Sequence, residues 1–181
     1  PILTGMLLDH LVQKTETYPL TQEMRRTISM ASVLHDIGKM EIGEQVLNSP
    51  EPRTPEDEEI MRQHTLLGAR MLEELDAYRD EDFVRVAYQI CRWHHERYDG
   101  SGYPDQLVGE QIPIAAQVVG LADAYETLTT GSGSQPPVPC AAAVQMLCTG
   151  EAGAFNPVLL DCLREIENEI DDAMRRRPET L

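Results

Sequence analysis

Apolar residues recur at helical spacing along almost the whole of this chain, and histidines sit inside that pattern, so the fold must bring imidazoles to the edge of a helical core. The first helix is expected near Ile2 to Lys14 and the second near Thr21 to Asp36, with Met24, Ile28, Ala31 and Leu34 on one face and Gly38 ending it. Thr54, Pro55 and the acidic run Glu56-Asp57-Glu58 read as N-cap, first-turn proline and first turn of a third helix reaching about Leu75. There Ile60, His64, Leu67 and Met71 share a stripe that places His64 on the buried face. A helix from Asp82 to Arg97 aligns Phe83, Ala87, Ile90 and His94, and His95 lies roughly 100° further round.

After a loop over residues 98–112, rich in Gly and Pro, Pro113 opens a helix that is almost wholly apolar from Ile114 to Ala122 and is followed by Asp123. Residues 131–139, GSGSQPPVP, read as flexible and featureless, and 129–139 carry no Lys or Arg to touch a phosphate. Helices follow over Ala141 to Leu147 and Pro157 to Met174, the latter with Leu159, Leu163, Ile166, Ile170 and Met174 in register. With no β alternation and no internal repeat, an all-α bundle around one core is expected from 181 residues.

The chain carries 31 Asp and Glu against 15 Lys and Arg, a formal net charge of −16. That field repels polyanions, which argues against a DNA or RNA polymer as partner. A small phosphate ester remains compatible if metal ions or local donors reverse the sign inside the site. Four cysteines, Cys91, Cys140, Cys148 and Cys162, show no close pairing and read as free thiols of a reducing compartment. No apolar run is long enough to cross a bilayer, and the first residues, PILTGMLLDH, resemble no secretory leader, so a cytoplasmic protein without membrane contact is expected.

His35, Asp36, His64, His94, His95 and Asp123 all lie on or next to apolar helix faces. Any one such histidine is most often a packed core residue with a satisfied hydrogen bond. Six together are different, because burying them uncompensated costs several kcal/mol per ionised group, whereas divalent cations satisfy all of them. Imidazole with carboxylate and no thiolate suits Fe, Mn, Co or Ni better than a closed structural zinc site. A carboxylate such as Asp36 can bridge two ions, and two adjacent cations can activate water and stabilise the oxygens at phosphorus, which is phosphoester hydrolysis. Lys39 reads equally as a cation for a phosphate oxygen or as a plain helix C-terminal charge.

The run His35-Asp36-Ile37-Gly38-Lys39 resembles the HD-x-GK signature of HD-superfamily phosphohydrolases. Joined to His94-His95-Glu96-Arg97-Tyr98-Asp99-Gly100-Ser101-Gly102-Tyr103-Pro104, it resembles the HD-GYP family, bacterial phosphodiesterases acting on the signal cyclic di-GMP. The likeness extends through Ile112-Pro113, Ala122 to Tyr125 and Gly153 to Pro157. It implies an HD-superfamily helical bundle forming a single domain over residues 1–178, the C-terminal part of a longer signalling protein. It implies metal ligands at His35, Asp36, His64, His94, His95 and Asp123, holding two or three divalent ions, Fe or Mn foremost. Catalytic roles fall to Asp36 and Lys39. Lys39, Arg97, Gly100, Gly102, Tyr103 and Pro104 are implied in contacting cyclic di-GMP or docking diguanylate cyclase domains; for Gly100, Gly102 and Pro104 plain turn geometry serves equally.

The sequence also departs from that family. An upstream His or Glu ligand is expected near Pro1 to Leu3, where neither stands, and His10 is poorly spaced to replace it. Basic residues expected after the Asp123 helix are absent from TTGSGSQPPVP, Ser49 and Pro50 follow Asn48 where an Asn-Lys-Pro-like element is common, and Gly43 stands where a Pro is usual. Each loss weakens anion binding. Two readings follow: a phosphodiesterase slowed by these losses, or a degenerate HD-GYP module kept for signalling through protein contacts.

Overall fold

The structure is a computed structural model that describes residues 2–49, 53–78, 81–132 and 135–175. Among them are α1 (Ile2–Lys14), α2 (Gln22–Ala31), α3 (Glu44–Leu47), α4 (Pro55–Arg62), α5 (His64–Glu73), α6 (Asp82–Trp93), α7 (Ile114–Thr130), α8 (Cys140–Thr149), α9 (Pro157–Glu165) and α10 (Glu167–Arg175). Short 3₁₀ turns cover Ser32–Leu34, Ile37–Glu41, Asp76–Tyr78 and Gly109–Gln111, and the only extended pairings among the described residues are two isolated bridges. The expected all-α bundle is what forms.

The core joins leucines of α1 (Leu3, Leu7, Leu8, Leu11) to Ile90 and Cys91 of α6, Val118, Leu121 and Tyr125 of α7, and Leu159, Leu163, Ile166 and Ile170 at the C-terminal end. Helix α6 packs on α2, α5 and α7, so residues at its C-terminal end stand where three elements meet. The nearly continuous apolar run of α7 is explained by this position, since α1, α6 and α8 surround it. Caps start the helices where expected: the Thr21 side chain accepts from the Met24 N–H, and the Thr54 side chain accepts from the Asp57 N–H ahead of Pro55.

Several helix ends differ from the sequence expectation. Helix α2 stops at Ala31 and passes into two 3₁₀ turns, so His35 and Asp36 lie beyond it. The helix expected from Pro55 to Leu75 breaks at Gln63, whose N–H bonds to the Ile60 carbonyl at 3.1 Å. That three-residue bond tightens the turn and shifts the phase, leaving Ile60 45% exposed while His64 is 1% exposed. The α6 helix ends at Trp93 rather than Arg97, and Phe83 on its expected stripe is largely exposed. The last helix is interrupted at Ile166 (φ −94°, ψ 6°), although Leu159, Leu163, Ile166 and Ile170 are all buried as expected. The Met174 side chain, Pro50, residues 133–134 and residues 176–178 lie outside the description. Around the described part of 131–139 the chain turns back on α7: the Val138 N–H bonds to the Leu128 carbonyl at 3.0 Å and Val138 packs on the core.

Gly38 brings the 3₁₀ turn after Asp36 against α5, where a Cβ at residue 38 would lie 2.0 Å from the His64 carbonyl oxygen and 2.4 Å from the Gly68 nitrogen. Backbone cannot give way there as a side chain can. Gly38→Ala is therefore expected to destabilise the fold by about 2 kcal/mol or more, within the range for overpacking a tight contact. Gly43→Ala, where a Cβ meets nothing within 4 Å, is the control and should move the urea midpoint little.

Candidate metal centre

Three of the helix ends just described, and the middle of α7, deliver side chains to one place. His35 and Asp36 come from the turns after α2, His64 from the α4–α5 break, His94 and His95 from the end of α6, and Asp123 from the middle of α7. His64 Nδ1 donates to the Met61 carbonyl at 2.7 Å, His94 Nδ1 to the Ile90 carbonyl at 2.9 Å, and His35 Nδ1 to the Ser32 carbonyl at 2.8 Å. A carbonyl only accepts, so Nδ1 must carry the proton and each neutral ring keeps its lone pair on Nε2.

Those Nε2 atoms face Asp36. His64 Nε2 lies 3.3 Å and His94 Nε2 3.8 Å from Asp36 Oδ1, while His35 Nε2 lies 3.5 Å from Asp36 Oδ2 and 3.5 Å from Asp123 Oδ1. One ligand atom each from Asp36, His64, His94 and His95 falls within 4.8 Å of the others, the spacing of a set that can surround an ion. Lys39 Nζ donates to Asp36 Oδ2 at 2.5 Å. His10, by contrast, pairs with Glu165 at 3.0 Å.

The electrostatics fit a cation. Burial pushes His94 down to about 4, with the neighbouring His35 adding to the effect, and burial likewise lowers His64 and, well below its ordinary value, His95. These three rings are thus held in the neutral, ligating form. Burial works against the charged form of Asp36 and Asp123 too, yet both titrate below the usual carboxylate range. For Asp36 the His35 charge and the Lys39 bond outweigh burial, and for Asp123 the His35 bond together with the charges of His94, His35 and Lys39 does. His35 is raised against its own burial by Asp123 and Asp36. Two partly buried carboxylates paired with His35 and Lys39, beside neutral imidazoles with inward lone pairs, are a donor set suited to divalent ions. A groove of about 550 Å³ lined by Leu72, Val84, Tyr88 and Trp93 contains none of the six residues, so volume alone does not mark the site.

The 98–112 loop is bound to this cluster by a residue the sequence pattern did not single out. Glu96, 5% exposed, accepts from the Asp105 N–H at 2.7 Å and the Leu107 N–H at 3.0 Å. Gly102 packs so closely that a Cβ would lie 2.3 Å from the Arg97 nitrogen, and Gly100 takes a left-handed φ of 82°. The loop places the Tyr103 ring 4.8 Å from His95 in a 23° stack, followed by the cis Tyr103-Pro104 bond. Asp105 accepts from Arg92 Nε and Trp93 Nε1, both at 2.7 Å. Arg97 turns to Phe155, its guanidinium 4.8 Å from the ring, and donates to the Glu96 carbonyl at 3.0 Å. A carboxylate directly after two histidines was the available signal for Glu96; nothing in the spacing marks Arg62, whose guanidinium lies 5.1 Å over the Tyr103 ring.

An all-helical bundle closing on a His/Asp cluster defines the class, and the HD domain family matches residues 7–158, so the chain belongs to that family. Among similar proteins are a cyclic di-GMP phosphodiesterase of Thermotoga maritima, 34% identical over 149 residues covering 82% of this chain and 39% of that protein, and the cyclic di-GMP phosphodiesterase response regulator RpfG of Xanthomonas campestris, 36% identical over 148 residues covering 82% and 38%. An HDG"Y"P protein from Bdellovibrio bacteriovorus shares the fold, with a TM-score of 0.67 at 23% identity over 92% of this chain and 51% of that one. These matches bear out the HD resemblance of His35 to Lys39 and agree with the HD-GYP resemblance of His94 to Pro104. The chain spans about two fifths of the length of the two phosphodiesterases.

Acid should act on the metal-free protein in a definite direction. His94 titrates near 4 when folded and near 6.5 when unfolded, so between those values the unfolded chain binds more protons and stability falls as pH falls. His64 and His95 act in the same sense, while the raised His35 opposes them by favouring the fold below its unfolded value. Urea midpoints of chelated protein should drop from pH 7 to pH 4, with His94 contributing at most about 1.4 kcal/mol per pH unit. His35 acts only near and above its unfolded value, where its contribution is already being completed, so a midpoint that rises from pH 6 to pH 4 would overturn the lowered titration of His64, His94 and His95.

Proposed function

We propose that this domain is a metal-dependent phosphodiesterase that opens cyclic di-GMP, with His35, Asp36, His64, His94, His95 and Asp123 as the metal ligands. The observation that carries the proposal is the convergence of imidazole Nε2 atoms on the Asp36 carboxylate beside Lys39. The names of the relatives support the substrate. Divalent ions held there supply Lewis acidity toward a phosphoryl oxygen and water activated for attack at phosphorus.

The protein's own residues do the rest. Carbonyls at helix ends fix the rings of His35, His64 and His94 so that little reorganisation accompanies binding. Asp36 lies within 4 Å of all three; with His64, His94 and His95 on one side and His35 and Asp123 on the other, these residues would hold up to two divalent ions, Fe or Mn suiting the donor types. Lys39 is placed to neutralise a phosphate oxygen once a metal satisfies Asp36, and the Tyr103 ring covers His95 from the loop side.

The same loop, through Gly100, Gly102, Tyr103 and Pro104, is our reading of where a diguanylate cyclase domain would dock. Our reading is a single catalytic domain over residues 1–178 of a longer cytoplasmic signalling protein. The four cysteines are free, and no described helix is long and apolar enough to cross a membrane.

Ligand roles are separable by metal analysis. Asp36→Ala removes the charge shared by both groups and should lose more metal than His64→Ala, which removes one neutral donor. Equal metal content in the wild type and Asp36→Ala, measured by plasma emission, would overturn the bridging role.

Turnover tests the function itself. With no upstream His or Glu at Ile2 or Leu3 and no cation across 129–139, each missing donor is expected to reduce the rate by about 10²–10³. The metal-loaded chain should therefore open cyclic di-GMP well below about one turnover per second, followed by chromatography of the linear product. Turnover at or above that rate would show the departures to be immaterial, and no product at all would refute the phosphodiesterase.

A further inference from the structure

We propose that Arg62 is a substrate-binding residue, the arm that takes a phosphate oxygen of the phosphodiester ligand beside the metal cluster. This rests on the phosphodiesterase reading above and goes beyond it by naming where, in a domain of net charge −16, the second anion-binding cation stands.

The basic residues around the cluster are mostly committed. Lys39 is bonded to Asp36 and Arg97 is packed on Phe155 and bonded to the Glu96 carbonyl. Arg92 is held by Asp105 through Nε at 2.7 Å and Nη2 at 3.0 Å. Arg62 differs. Its guanidinium rests over the Tyr103 ring at 5.1 Å, and that ring in turn lies 4.8 Å from His95, so a guanidinium, a phenol and an imidazole form a column leading outward from the cluster. A cation over a ring gives up none of its N–H donors to that contact, so they remain available to grip a phosphate through two bonds.

Its one ionic neighbour among the described residues is Glu58, 3.8 Å from Nε and beyond hydrogen-bond reach, with both side chains 48% exposed. Such a surface pair contributes little and yields readily to a stronger acceptor. The tie between Glu96 and the backbone at Asp105 and Leu107 holds the loop that carries the Tyr103 ring, which places Arg62 at a fixed point relative to His95.

The test compares wild type, Arg62→Ala, Arg62→Lys and Arg70→Ala as metal-loaded full chains. Arg70, on α5 and paired with Glu41, removes the same charge at a distance from the column. Cyclic di-GMP binding is followed by calorimetry at low temperature with product verified absent. Arg62→Ala should weaken binding about tenfold to a hundredfold, the range for a charge-assisted hydrogen bond, with metal content and urea midpoint unchanged. Arg62→Lys should fall between, and Arg70→Ala should stay within about twofold. Binding by Arg62→Ala within twofold of wild type, or an equal loss in Arg70→Ala, overturns the proposal. If the wild type binds no cyclic di-GMP, the phosphodiesterase reading fails, and Arg62 is judged with inorganic phosphate on the same protein. Weaker phosphate binding in Arg62→Ala then supports it, and unchanged or absent binding overturns it.

Discussion

The hydrogen bonds from imidazole Nδ1 to backbone carbonyls at helix ends are what the site depends on. The carbonyls of Ser32, Met61, Ile90 and Cys91 accept from His35, His64 and His94, at Ser32 and Ile90 in addition to a backbone N–H. Each such bond fixes a tautomer and aims Nε2 inward. The breaks after Ala31, at Gln63 and after Trp93 coincide with the cluster: continuous helices there would carry the histidines away along their faces.

That coincidence explains which parts of the sequence were misread. Helical periodicity located α1, α7 and the buried leucines and isoleucines of α9 and α10, because there the apolar stripe is the only demand on the chain. It overextended α2 to Asp36, ran through Gln63 and carried α6 to Arg97, all three at residues whose backbone geometry serves the side-chain cluster. Local periodicity is a statement about burial, and His35, His64 and His94 are placed by hydrogen bonding. The motifs still revealed the six clustered residues, since residue type and pairing survive an error in helix length. Glu96 and Arg62 escaped because their partners, the backbone at Asp105 and Leu107 and the Tyr103 ring, are brought near by a loop whose path no spacing rule gives.

Close backbone approach is the second requirement, and it is met by glycine at three contacts around the cluster. Gly38 lets the turn after Asp36 touch the His64 carbonyl, Gly102 lets the loop lie on Glu96 and Arg97, and Gly120 lets α7 pass the His94 carbonyl, where a Cβ would come within 2.3 Å. Each contact joins two segments that carry clustered side chains. A side chain at any of them would separate Asp36 from His64, Tyr103 from His95, or Asp123 from His94, and imidazoles that reach only a few Å cannot follow a backbone that moves by that much.

The charge distribution then decides what such a cluster can hold. Within it, Asp36 and Asp123 are answered mainly by Lys39 and a raised His35, and the rings of His64, His94 and His95 resist protonation. Adding protons cannot neutralise the site, because desolvation penalises imidazolium there; adding a divalent ion can, because it is bound by the neutral rings and the carboxylates together. The long-range field of −16 and the local field at Asp36 therefore have opposite consequences for a phosphate ester. The first repels it at a distance and weakens with salt, and the second attracts it once a cation is in place. An acidic domain of this kind would gain affinity for an anion only over the last few ångströms, so a few fixed groups at the cluster, and not the net charge, would set what it binds.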